Sequence, residues 1–148
     1  MLYLCLGTVL GALFLINRWI PLEPRIAVLK TSHVQMLVVG WLTQLILGVA
    51  WWLFPPLPIG LRSDGARPIR KGQQQRGSEP LFWATFVCLN IGVLLWAICE
   101  PLFGLTQSRV FGFLAGVSGL FLAVAGLAFV LNMWGRVREL GRKKRSQG

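Results

Sequence analysis

Residues 110–135 read VFGFLAGVSGLFLAVAGLAFVLNMWG and contain no Asp, Glu, Lys or Arg. A helix needs roughly 20 mostly apolar residues to cross a hydrocarbon core about 30 Å thick, and this stretch exceeds that length. Three further stretches without these charged residues occur at 1–17, 31–61 and 80–99. The whole chain of 148 residues is 55% hydrophobic and 14% charged, whereas ordinary soluble domains are about a quarter charged. The pattern excludes a soluble globular fold, intrinsic disorder and a disulfide scaffold.

We therefore predict an all-α fold, an integral membrane four-helix bundle that forms a single domain over residues 1–148. The helices are expected at about 2–19, 32–54, 80–100 and 110–134, with a Pro- and Gly-rich loop at 55–79 and a basic tail at 135–148. The first helix is expected to be retained, because no basic residue precedes it as in a signal peptide. The pair Ser32 and Gln35 fits a capping box at the start of the second helix, and Pro24 is a rival start.

The distribution of Lys and Arg predicts the orientation of the bundle. Positive residues are concentrated on one side, in the middle loop and the tail: Arg62, Arg67, Arg70, Lys71, Arg76, Arg136, Arg138, Arg142, Lys143, Lys144 and Arg145. The opposite side has Arg18, Arg25, Lys30 and Arg109. Because cytoplasmic loops carry the excess of Lys and Arg, we predict that both termini and the middle loop are cytoplasmic. We expect a multi-pass protein of the bacterial cytoplasmic (inner) membrane.

A stripe of small residues in the fourth helix is the clearest packing signal. Its members recur at spacings of three and four and share one helix face: Gly112, Gly116, Gly119, Ala123 and Gly126. Gly7 and Gly11 form a shorter version in the first helix. Each set predicts close helix contacts, either within this chain or between subunits of a complex or a homo-dimer.

Polar residues inside apolar helices are costly and tend to point into a bundle or at a site. At 100° per residue, His33, Gly40, Gln44, Gly48 and Trp51 fall on one face of the second helix. The third helix carries Asn90 and is expected to end at Glu100 and Pro101. In the predicted topology Glu100 lies near the same outer boundary as His33, so we expect an outer polar cluster built on these two residues. His33 is expected to bond either to Glu100 or to the backbone.

Known chemical motifs are sparse in this sequence. Its single histidine and three separated cysteines lack the spacing of zinc or iron–sulfur ligands. We find no nucleophile–base pair, paired carboxylates or phosphate loop, so we expect no catalytic activity from this chain alone. The expected partners are the lipid bilayer and other membrane subunits or a second copy. A nucleic acid is not expected, because the positive charge is mostly a topological signal.

The second and third predicted helices carry a recurring pattern. It comprises His33 and Gln35, then Gly40-Trp41, Gly48 followed by Phe54-Pro55, Leu89-Asn90-Ile91-Gly92 and Glu100-Pro101. The pattern resembles small four-helix bacterial proteins similar to subunit I of the haem–copper (cytochrome c) oxidases. The resemblance implies that His33 is an axial ligand of a haem iron, with Trp41 and Gln44 beside the cofactor. Gln35 replaces the second histidine of the family pattern, and most other histidine ligands of subunit I have no counterpart here.

The sequence thus favours an accessory or scaffold subunit of a respiratory or photosynthetic electron-transfer complex, with no redox cofactor of its own. The alternative is a haem-binding redox or sensing protein that uses His33. Such a haem would be five-coordinate or would take its second axial ligand from another chain. A small channel or transporter is a third reading, supported only by the polar face of the second helix.

Overall fold

Every element in the described part of the chain is helical. A computed structural model describes residues 1–53 and 78–145. The elements are α1 (Leu2–Trp19), a 3-10 segment (Pro24–Leu29), α2 (Lys30–Gln35), a π-helical segment (Met36–Thr43), α3 (Gln44–Leu53), α4 (Glu79–Thr106) and α5 (Arg109–Arg145). Position 54, most of the predicted loop at 55–79 and residues 146–148 lie outside the described residues.

Four helical spans are long and apolar enough to cross a membrane, as judged by length and composition. They are Leu2–Trp19, Pro24–Leu53, Glu79–Thr106 and Arg109–Trp134. Large hydrophobic side chains are exposed along all of them, and at most 28% of the most apolar window of any span is buried. Burying one such side chain away from water contributes about 1.5–3 kcal/mol, so these exposed side chains form a large apolar surface that this chain does not itself cover. The predicted all-α architecture with four candidate spans is confirmed.

The second span begins earlier than the predicted start at residue 32. Helical structure starts at Pro24, whose fixed φ and missing N–H suit the first helical position. The side chain of Glu23 caps this end by accepting a hydrogen bond from the Arg25 N–H at 3.4 Å. The capping box on Ser32 and Gln35 is therefore wrong. The rival start at Pro24 is the one that the structure adopts.

The middle of the second span is π-helical, which the sequence analysis did not predict. The Thr43 hydroxyl donates to the Val38 carbonyl at 2.9 Å, five residues back along the chain. Gly40 lies within this segment, and a Cβ placed there would lie 2.7 Å from Cγ of Tyr3 in α1. Glycine therefore allows the tyrosine ring to lie directly against the π-helical backbone.

α4 continues through the proline that was expected to end it. The prediction placed the end at Glu100 and Pro101, but the helix runs to Thr106 with Pro101 buried inside it. Proline has no N–H, so the carbonyl of Ala97, four residues earlier, loses its usual helical donor. The Ser32 hydroxyl donates to that carbonyl instead, at 2.9 Å. Ser32, a residue of the second span, thus donates to the Ala97 carbonyl that Pro101 leaves without a donor. This bond removes the free-energy cost of an unpaired buried carbonyl, which would otherwise favour ending the helix at the proline.

α4 and α5 form an antiparallel hairpin joined by a very short turn. Gln107 ends α4 in the left-handed region, at φ 52°, and its N–H donates to the Phe103 carbonyl at 2.8 Å. α5 then begins at Arg109 and extends to Arg145, so most of the predicted basic tail is a continuation of the helix. No proline interrupts this stretch.

The face of α5 that packs on α4 differs from the glycine stripe. The residues of α5 buried or packed at the hairpin contact are Ala115, Ser118, Leu122 and Ala125. They meet α4 at Gly92, where an added Cβ would lie 2.7 Å from Leu122 Cδ2. A Cβ at Gly116, Gly119 or Gly126 would meet nothing within 4 Å, and Ala123 is exposed.

Among the described residues, these positions of the stripe therefore have no packing neighbour, so contact within this chain, one of the two alternatives left open, is not formed there. Gly112 is the exception, since an added Cβ there would lie 3.1 Å from the Phe103 ring. The small residue that allows α4 and α5 to approach closely is Gly92 of α4, and Leu122 of α5 packs against it. The stripe itself remains on the outer surface of the hairpin.

Candidate functional site

The single histidine lies against α1, near the end of the bundle where the second span begins. Its Nδ1 is 2.8 Å from the carbonyl oxygen of Gly7, and its ring makes an edge-to-face contact with Phe14 at a centroid distance of 5.6 Å. A carbonyl oxygen can only accept, so Nδ1 of His33 must carry the proton of this hydrogen bond. In the neutral imidazole, Nε2 then has the free lone pair.

The two glycines of α1 make this contact sterically possible. A Cβ at Gly11 would lie 2.9 Å from Cε1 of His33, and one at Gly7 would lie 2.5 Å from Cδ2 of Leu37. Larger residues at these positions would therefore hold the second span away from the α1 backbone. The short glycine motif packs within this chain, which is one of the two alternatives that the sequence left open.

The predicted pairing of His33 with Glu100 is not formed. Both residues lie toward the same end of the bundle, because Ser32 is bonded to the Ala97 carbonyl one turn before Glu100. The imidazole is bonded to the backbone of Gly7. Across residues 1–53 and 78–145, no hydrogen bond or ion pair involves the Glu100 carboxylate, which is partly buried.

A second polar cluster joins three helices in the interior. Oδ1 of Asn90 in α4 accepts from the Tyr3 hydroxyl at 2.9 Å and from Nε2 of Gln44 at 3.1 Å. Nδ2 of Asn90 donates to the Phe86 carbonyl at 2.8 Å. Tyr3 belongs to α1 and Gln44 to α3, so one amide connects the first three spans. We call Tyr3, Gln44 and Asn90 the interior triad.

The interior triad shows that the polar face predicted for the second span is divided. His33 and Gly40 contact α1, whereas Gln44 contacts α4. The π-helical segment lies between these two groups, and its wider turn breaks the 100° count on which the predicted face rests. Trp41 is partly buried and packs against the hydrophobic core. Trp41 is close to the interior triad in sequence, but it makes no side-chain hydrogen bond to the described residues.

Sequence analysis missed three polar residues that the structure places inside the bundle. Tyr3 is the only tyrosine in the chain, and a lone phenol in an apolar helix could have signalled a buried hydrogen bond. Ser32 was assigned a capping role and instead bonds across helices. Trp96 is different, because its Nε1 is the only buried side-chain nitrogen or oxygen within the described ranges that has no partner.

A crevice opens between α3 and α4, toward the end of the second span opposite His33. Its volume is about 240 Å³, and its lining residues are Gln44, Leu47, Gly48, Phe82, Trp83, Thr85, Phe86 and Leu89. The lining is almost wholly apolar. Trp51 stacks on Phe82 beside it, with a centroid distance of 4.5 Å. We call this feature the inner crevice.

Protein ligands for a metal ion are scarce in the described part of the chain. No group of three or more His, Cys, Asp and Glu residues could hold a metal there. Cys5, Cys88 and Cys99 are all free thiols, and they are exposed, partly buried and buried respectively. The arrangement of described residues can therefore offer one imidazole nitrogen, from His33, to a cofactor iron.

Comparison with known proteins gives no relative for this chain. No family model, no curated protein and no solved structure matches it. The proposals below therefore depend on the residues and contacts described above, together with the sequence pattern.

Proposed function

We propose that this chain is an integral protein of the bacterial cytoplasmic membrane that crosses the bilayer four times. Four apolar spans of sufficient length support insertion. The excess of Lys and Arg in the middle loop and after Trp134 supports an orientation with both termini in the cytoplasm. In this orientation His33 and Glu100 lie toward the outer side of the membrane.

Its function, in this proposal, is that of an accessory or scaffold subunit in an electron-transfer complex. The observation that carries the assembly role is the open glycine stripe of α5. Lipid provides no hydrophobic driving force between membrane helices. Small residues allow the helices to approach closely, and the resulting van der Waals contacts stabilise their association. Three glycines of the stripe have no contact for an added Cβ among the described residues of this chain, so a helix of another subunit can pack there. The link to electron transfer rests on the resemblance to oxidase subunit I.

Site-specific photocrosslinking in native membranes tests the assembly role. A photoreactive amino acid at Ala123, which is exposed within the stripe, is expected to crosslink to a subunit of a respiratory or photosynthetic complex. The matched control carries the same group at Val9, an exposed position of α1. The companion variant Gly116→Leu should fold but lose the crosslink at Ala123. Recovery of the chain alone, or equal crosslinking from both positions, would contradict the proposal.

The second candidate is a haem-binding protein, and the geometry of His33 favours it specifically. Backbone hydrogen bonding at Nδ1 fixes the ring and leaves Nε2 as the available lone pair, as is usual for metal-ligating histidines. A bound haem would supply electron transfer or ligand sensing. A second axial ligand would come from another chain, or the iron would be five-coordinate.

An absorption spectrum of the detergent-purified chain distinguishes the two candidates. A haem protein shows a Soret band that is lost in His33→Ala and retained in the neighbouring control Thr31→Ala. A scaffold subunit shows only protein absorption and is recovered with its partners. A Soret band that survives His33→Ala would exclude His33 as the ligand.

A further inference from the structure

The inner crevice is an unfilled apolar surface within the proposed membrane slab. Within residues 1–53 and 78–145, a Cβ at Gly48 would meet no atom within 4 Å, so the missing side chain of this glycine leaves space that these described residues do not fill. No charged side chain is among the described residues that line the crevice. Gln44 contributes a polar group, but its Nε2 is already bonded to Asn90. The lining therefore suits a hydrocarbon occupant.

The position and surroundings of the crevice favour an acyl chain as its occupant. The crevice, of about 240 Å³, is an apolar slot between two helices and is open on one side, so a flexible chain can enter it from the bilayer. An acyl chain is attached to a headgroup, and the charge at this end of the bundle bears on that headgroup.

Positive charge is concentrated at the end of the bundle nearest this crevice. The side chain of Asn132 is bonded to the backbone of Ser78 through two hydrogen bonds of 2.9 and 3.1 Å. This contact places residue 132 of α5 beside the start of α4, one turn before Phe82. α5 continues past that level as a helix to Arg145. Its extension carries Arg136, Arg138, Arg142, Lys143, Lys144 and Arg145.

Aromatic residues mark the same end. Trp51, Trp83 and Phe82 lie around the crevice there, and tryptophan is enriched at the level of lipid headgroups. Clusters of Lys and Arg at a membrane surface attract anionic lipids, at about 1 kcal/mol per residue. The crevice is therefore an apolar slot close to a cationic helix end, and the two together suit an acyl chain with an anionic headgroup.

We propose that the inner crevice binds one acyl chain of an anionic phospholipid whose phosphate lies at the basic extension of α5. The inference rests on the proposed membrane insertion and is independent of the proposed assembly role. The lipid becomes a specific ligand, held by an apolar slot for its chain and by positive charge for its headgroup.

Retention of defined lipids by the full chain, measured by native mass spectrometry after detergent exchange, tests this inference. The probes are dioleoyl phosphatidylglycerol and dioleoyl phosphatidylcholine, which share their acyl chains and differ in headgroup charge. The wild-type chain should retain one phosphatidylglycerol in preference to phosphatidylcholine. Gly48→Leu should weaken retention about tenfold, because it takes the place of roughly two methylene groups of the lipid. The matched control Gly126→Leu also enters open space and should retain lipid normally.

Two further measurements keep the proposal falsifiable if Gly48→Leu folds poorly. Arg136→Gln combined with Arg138→Gln should reduce the preference for phosphatidylglycerol, with helix content unchanged by circular dichroism. In the wild-type chain, phosphatidylglycerol with a photoreactive diazirine on its acyl chain should label residues 44–48 and 82–89. Equal retention of both lipids, unchanged retention by folded Gly48→Leu, or labelling spread evenly over all four spans would each overturn the proposal. A chain that stays in the aqueous fraction would instead refute membrane insertion.

Discussion

Replacing Ser32 by alanine should expose how α4 tolerates a proline in its interior. Pro101 cannot donate to the Ala97 carbonyl, and the Ser32 hydroxyl takes over that role at 2.9 Å. Ser32 is 1% exposed and Ala97 7%, so water does not reach the carbonyl easily. Ser32→Ala therefore leaves a buried acceptor without a donor.

The magnitude follows from the cost of an unpaired buried group. An unsatisfied carbonyl costs about 1–3 kcal/mol in proteins. Hydrogen bonds between membrane helices average about 0.6 kcal/mol, with a maximum of about 1.7 kcal/mol. We expect Ser32→Ala to lower the free energy of unfolding by about 1–2 kcal/mol. The loss should be smaller when Pro101→Ala is also present, because residue 101 then supplies an N–H to the same carbonyl.

A double-mutant cycle over Ser32→Ala and Pro101→Ala measures this coupling. Unfolding free energies are obtained by denaturant titration of the purified chain in mixed micelles, with tryptophan fluorescence as the readout. The control is Ser118→Ala, since Ser118 is also fully buried and bonded to a helix carbonyl, that of Ala115. That carbonyl keeps its own backbone donor within α5, so the control should lose less stability.

Two results would refute this reasoning. One is a coupling energy within about 0.3 kcal/mol of zero, which is the limit within which independent sites add. The other is an equal loss for Ser32→Ala and Ser118→Ala, which would show that the serine contributes only ordinary packing. Either result would mean that α4 passes through Pro101 without help from the second span.

Three further predictions concern the contacts that hold the helices together. Gly92→Leu should lower the free energy of unfolding by about 1–3 kcal/mol through overpacking against α5, whereas Gly116→Leu should change it by less than about 0.5 kcal/mol. Denaturant titration of the two variants measures this difference. Asn90→Ala should lower the free energy of unfolding by about 1–2 kcal/mol, because it leaves the Tyr3 hydroxyl and the Gln44 amide without their acceptor; a loss no larger than that of Tyr3→Phe would contradict this. Asn132→Ala should speed hydrogen exchange in the first turn of α4, and unchanged protection there would show that its two backbone bonds are dispensable.

The number and position of the spans could be predicted from the sequence because lipid imposes a length and an absence of charge. The charge-free stretches at 1–17, 31–61, 80–99 and 110–135 each overlap a helical span in the described part of the chain. The end of the third helix could not be predicted in the same way. Proline removes one donor, and whether the helix ends there depends on Ser32, a residue of another helix.

The packing faces were harder to predict, because a glycine indicates room for close approach without identifying the neighbour. Gly7 and Gly11 contact the second span, whereas Gly116 and Gly119 have no such neighbour in the part of the chain that the structure describes. The partner of His33 was left open between Glu100 and the backbone for a related reason. A backbone carbonyl has no signature in the sequence, so the residue that accepts from His33, Gly7, could not be identified.

The turn between α4 and α5 has a consequence for biosynthesis. Only Gln107 and Ser108 separate the two helices, and two extended residues span at most about 7 Å. Such a link cannot reach across a hydrocarbon layer about 30 Å thick. In the proposed membrane-spanning arrangement, the two helices must therefore enter the membrane during translation as one unit with opposite directions. The translocon could then choose the direction of the pair but could not invert either helix alone.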